Sequence, residues 1–81
     1  MLKDFWVVAI CAGPRTGGLM KWSDQDGPIM VKDFMDATLY PFTNEGNVKA
    51  QRIAKQSADT MFYPDEKCRV RHVQINISFV N

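Results

Sequence analysis

Apolar positions along this chain fall into runs of different period. From Phe5 to Ala12 the sequence Phe-Trp-Val-Val-Ala-Ile-Cys-Ala carries no charge and is rich in β-branched and aromatic residues, which predicts a strand. The run does not alternate. Phe5, Val7, Ala9 and Cys11 form one face and Trp6, Val8, Ile10 and Ala12 the other, so both faces need covering. From Cys68 to Val80 the period is two, with Val73, Ile75, Ile77 and Phe79 on one face and His72, Gln74, Asn76 and Ser78 on the other. The phase breaks at the start of that strand, where Cys68 and Val70 share the face of His72 and leave Arg69 and Arg71 in phase with Val73. Either a bulge near Arg71 or a pair of arginines projecting past the core edge accounts for it.

Between these strands the period lengthens. Ala50, Ile53, Ala54, Ser57, Ala58 and Met61 lie on one stripe of a helix over Val48 to Tyr63, opposite Lys49, Arg52, Lys55, Gln56 and Asp59. Thr43 or Asn44 supplies its cap, Gly46 weakens its first turn and Pro64 ends it. Residues Gly13 to Gly18 form a glycine-rich hairpin loop leading into a short strand, Leu19 to Trp22, and Ser23 to Pro28 is a surface turn. Ile29 to Asp36 reads as an irregular or 3₁₀ crossing, and Ala37 to Phe42 as a peripheral strand because Pro41 cannot donate to a ladder. The order β-β-β-α-β predicts a single α+β domain over residues 1–81, an antiparallel sheet of three to four strands with one helix packed on one face. One helix covers one face only. The first strand is therefore expected to leave its other face, with Trp6 or Trp22 on it, without an intramolecular partner, and such a patch marks an interaction surface.

Composition narrows the function classes. With 46% hydrophobic residues and a net charge of +1 the 81 residues are those of an ordinary globular domain, and bulk charge points to neither a polynucleotide nor a membrane. A chain this short buries only roughly 60% of its unfolded surface, so docking on a partner or self-association into a homodimer is an expected source of further burial. Cys11 and Cys68 are too few for a disulfide scaffold, which favours a reduced, cytoplasmic setting. Asp4 interrupts any leader-like reading of the first residues, and no stretch approaches the roughly 20 apolar residues of a membrane span.

Candidate chemistry is sparse. The Gly13–Gly18 loop with Arg15 lacks the ending of a phosphate-binding loop and no helix follows it. Asp24, Asp26 and Gly27 open like a calcium loop that no glutamate closes. Cys68 and His72 with Asp65 or Glu66 would make a poor metal set, and the single histidine has no nucleophile and orienting acid around it. No metal, cofactor or catalytic site is expected. Lys67, Arg69 and Arg71, with His72, form the basic cluster that would serve a single-stranded nucleic-acid reading.

The succession Trp6-Val7-Val8-Ala9, the glycine turn into Met20-Lys21-Trp22, the Asp26-Gly27 loop, Asp36-Ala37-Thr38-Leu39-Tyr40, a helix and a final strand resembles small accessory proteins of tailed bacteriophages along nearly its full length. That resemblance implies a non-enzymatic protein, cytoplasmic in an infected bacterial host, that docks on and inhibits a host enzyme, nuclease or polymerase or blunts a defence complex. It brings no site residues with it. Trp6, Arg15 and Trp22 are the expected partner contacts on side-chain type, because aromatic and arginine side chains carry most interface energy.

Overall fold

β1 (Leu2–Ala12) is the spine of the sheet, and both of its edges are paired. The structure is a computed structural model and describes residues 1–60, 63 and 65–78. Along one edge of β1 runs β5 (Lys67–Asn76), antiparallel, in unbroken register from Leu2 opposite Asn76 to Ile10 opposite Cys68. The other edge is shared. β2 (Leu19–Ser23) joins it where Leu19 faces Ala9, and β4 (Tyr40–Pro41) joins further down, with Tyr40 opposite Trp6 and Pro41 opposite Phe5. Beyond its first pair β2 swings away, and the Thr38 segment fills the gap. Thr38 N–H donates to the Met20 carbonyl at 3.3 Å, and Trp22 N–H donates to Thr38 Oγ1 at 2.8 Å.

β3 (Gly27–Val31) pairs with β2 along its whole length, so the sheet has five strands and the chain order is β-β-β-β-α-β. This strand stands where the sequence pattern predicts an irregular crossing, because Met30, Val31 and Phe34 happen to be spaced for a helical turn. The acidic turn closes a second hairpin, with Gly27 at φ +72° and Ser23 Oγ accepting from Gln25 and Asp26 N–H. The true crossing is residues 32–39. The predicted strand Ala37 to Phe42 shrinks to two residues accordingly.

α1 (Asn44–Thr60) begins four residues earlier than the predicted start at Val48. Thr43 caps it, its Oγ1 accepting from Gly46 N–H at 3.0 Å. Gly46 is buried against Pro41, whose carbonyl a Cβ there would overlap, so the residue that weakens the first turn also lets the helix sit against β4. Ala50, Ile53 and Ala54 pack on Val8, Ile10, Met20 and Tyr40, forming the main core on the even-numbered face of β1. Ala58 is exposed, and Met61 and Phe62 lie outside the described residues, as do the last residues of the predicted final strand.

The second face of β1 is covered after all, over part of its length. Val7, Ala9 and Leu19 are buried at 1%, 8% and 5% exposure, packed by Val31, Ala37, Leu39 and Val73. The crossing does what a second helix would do. Trp6 or Trp22 was expected on the uncovered side, and both instead pack half-buried on the helix side. No helix among the described residues is long and apolar enough to cross a membrane.

Candidate interaction surface

The phase break in β5 needs no bulge near Arg71. The ladder slips at Cys11, between Ile10 and Ala12, and is regular from Cys68 to Asn76. Because opposite residues of an antiparallel pair share a face, Cys68, Val70 and His72 stand with Ile10, Val8 and Trp6 on the helix side. Arg69, Arg71, Val73 and Ile75 stand with Ala9, Val7, Phe5 and Lys3 on the other. The helix needs apolar partners only at the Cys68–Val70 end, and the far face takes its apolar residues from the other half.

On that far face lies a hollow of about 330 Å³, lined chiefly by Val7, Ala9, Leu19, Phe34, Arg71 and Val73. Its wall is built by a fixed turn. Asp33 accepts Met35 N–H on its carboxylate at 2.9 Å, and its carbonyl accepts Asp36 and Ala37 N–H at 3.1 and 3.2 Å. The turn presents two adjacent large apolar side chains, Phe34 at 44% and Met35 at 80% exposure. Arg69 and Arg71 are exposed, and among the described residues neither has an ion-pair partner. Lys67 is exposed at the start of the same strand. An apolar hollow, a preorganised apolar turn and unpaired cations thus occupy one side of the sheet.

The residues expected from the sequence to contact a partner each make contacts within the chain. Arg15 turns inward and grips Glu66, Nε donating to Oε2 at 2.9 Å and NH2 to Oε1 at 2.6 Å, while its guanidinium lies 5.4 Å from the centre of the Tyr63 ring. The Glu66 side chain is wholly buried, and the hydrogen bond from Arg15 holds its carboxyl below the ordinary range against the effect of burial. Gly13, at φ +93°, makes room for that pair, since a Cβ there would stand 2.6 Å from Glu66 Cγ. Trp22 Nε1 donates to Asp24 at 3.2 Å. Trp6 lies 4.5 Å from the Phe42 ring, which stacks on His72 at 4.2 Å, and its Nε1 donates to the Thr43 carbonyl at 3.3 Å. His72 Nε2 is 2.7 Å from Asp4 Oδ1, which also accepts from Gln74 at 3.0 Å, and these bonds hold the Asp4 carboxyl below its ordinary value.

Burial raises the Cys68 thiol to about 11, with Cys11 and Glu66 adding to the rise. Glu66 is committed to Arg15 and His72 to Asp4, and among the described residues no group of three or more His, Cys, Asp and Glu gathers around a metal position. Phe34 and Met35 are not among the contacts that side-chain type predicts from the sequence. Their signal in the sequence is an apolar pair directly after Asp33, whose carboxylate accepts from the Met35 N–H. Comparison of the chain with protein-family models, curated proteins and solved structures finds no match.

Proposed function

We propose that this is a non-enzymatic binding protein that acts by occupying a surface of a protein partner, through the sheet face opposite the helix. One observation carries the reading: the turn held by Asp33 keeps Phe34 and Met35 exposed beside an apolar hollow rimmed by Arg71. Exposed apolar groups on a preformed turn lose little conformational freedom on docking, and an arginine at the rim suits a partner segment that is apolar with acidic flanks. A bacterial host enzyme or defence complex, inhibited or modulated by occupancy, is the partner class supported by the resemblance to phage accessory proteins.

The contact set moves accordingly from Trp6, Arg15 and Trp22 to Phe34, Met35, Arg69 and Arg71. Affinity capture from a bacterial lysate tests it. The expected result is a protein retained by the wild-type chain and lost by a Phe34→Ser/Met35→Ser variant that keeps wild-type stability. Equal retention by both would remove this face from consideration.

A second reading, single-stranded nucleic-acid binding, is favoured by the common strand face of Lys67, Arg69 and Arg71. Among the described residues its aromatic component on that face is Phe34 and the half-buried Phe5, and stacking on aromatic rings contributes much of such binding. Retention of a labelled oligothymidylate at low salt, falling steeply as salt is added, is the result that reading expects.

A further inference from the structure

The two outer edges of the sheet are unlike. β3 is short and carries Pro28, one of the devices that blunt an edge against further pairing. β5 runs for ten residues with no proline and no break in register from Cys68 to Asn76, and no described strand pairs with its outer side. The direction of its backbone groups follows from one bond. Ile77 N–H donates to the Met1 carbonyl at 2.7 Å, and antiparallel ladders alternate, so Arg69, Arg71, Val73 and Ile75 bond to β1. Ile10 agrees from the other side, since its N–H and carbonyl bond to the β2 hairpin rather than to Cys68. The N–H groups of Val70, His72 and Gln74 therefore point out along the free edge.

We infer that β5 takes an extended acidic strand of the protein partner, antiparallel, as a sixth strand of the sheet. Charge chooses the occupant. β5 carries Lys67, Arg69 and Arg71 and no acid, and the two arginines share a face with Val73 and Ile75. A strand that reads apolar, x, apolar, x, acidic, x, acidic would lay its apolar residues opposite Ile75 and Val73 and its carboxylates opposite Arg71 and Arg69. A second copy of β5 would bring arginines to arginines or to apolar residues and leave them without counterions. The inference rests on the protein-binding reading and deepens it, because the edge adjoins the face that carries Phe34 and the hollow.

The probe is a nine-residue synthetic peptide with valine at its second and fourth positions, glutamate at its sixth and eighth and threonine elsewhere, added to the ¹⁵N-labelled full chain. Expected are saturable shifts and slowed exchange at the Val70, His72 and Gln74 amides, with binding weakened about tenfold or more when lysine replaces the glutamates. Arg69→Glu/Arg71→Glu should reverse that preference, and Gln74→Pro, which removes one outward backbone donor and no backbone bond to β1, should abolish binding, whereas Gln74→Ala, which loses the same side-chain bond to Asp4 and keeps the N–H, should retain it. Shifts confined to Phe34 and the hollow, equal affinity for both peptides, or no shift at millimolar peptide would overturn the inference. So would concentration-dependent protection of the same amides in the protein alone, which would assign the edge to a second copy. Lysate capture that survives Gln74→Pro sinks the edge and leaves the protein-binding reading standing, whereas a peptide that binds without any captured protein separates the two in the opposite sense.

Discussion

Val7 and Val8 are neighbours on β1, both almost fully buried, but on opposite faces of the sheet. Val8 is covered by the helix and Val7 by the crossing at Ala37 and Leu39. If the crossing is a true second layer, Val7→Ala and Val8→Ala should cost about the same. Each removes two buried methyl groups at about 0.8 kcal/mol apiece, and the residual cavity raises the total to about 2 kcal/mol. An 81-residue domain has a total stability of about 4 to 12 kcal/mol, so either change is large, and at about 4 to 8 °C per kcal/mol it lowers Tm by about 8 to 16 °C. Urea unfolding followed by tryptophan fluorescence, with the slope checked for constancy, measures both variants. A Val7→Ala cost below about 0.5 kcal/mol beside a Val8→Ala cost near 2 would show that the second face is open and that the crossing does not pack on it.

Three further outcomes follow from the loop and the β5 terminus. Gly13→Ala should destabilise more than Gly17→Ala, although both glycines have positive φ, because only at Gly13 does the new Cβ meet Glu66; the backbone strain they share is about 1 to 2 kcal/mol, and denaturation midpoints read the difference. Glu66 and Asp4 both have lowered carboxyl values in the fold, so their contribution is complete above the ordinary values of 4.5 and 3.8 and is lost as pH falls through the lower folded-state values. Urea midpoints from pH 7 to pH 3 should therefore fall at the acid end, and Glu66→Gln should flatten that fall; an unchanged acid limb in the variant would count against the Arg15 clamp. Cys68, raised to about 11 from an ordinary 9.0, should react with iodoacetamide at pH 8 about a hundredfold more slowly in the native protein than in urea, as peptide mass spectrometry would show.

What was legible in the sequence was whatever a single period could carry. β1, the helix stripe and the alternation of β5 were readable because each follows one spacing, and the antiparallel α+β architecture with one helix follows from their order. β3 is hidden in the pattern because Met30, Val31 and Phe34 mimic a helical turn, while its actual partner, β2, is recognised only by pairing Val31 with Leu19. The cover on the second face of β1 was invisible for a related reason: Ala37 and Leu39 belong to a crossing whose direction no local pattern specifies. Arg15 shows the limit for sites. Side-chain type marked it as a contact residue, and only the fold brings it to Glu66, fifty-one positions away. Phe34 and Met35 became candidates through exposure, a property of packing rather than of spacing.

In the proposed complex the sheet face opposite the helix is the one that meets the partner. Amide hydrogen exchange of the protein alone and in the captured complex tests it most directly. Residues 33–37 and the amides of β5 should slow on complex formation while the outer face of α1, at Lys49, Arg52 and Lys55, stays unchanged. Protection confined to α1 with no change at Phe34, Met35 or β5 would contradict it.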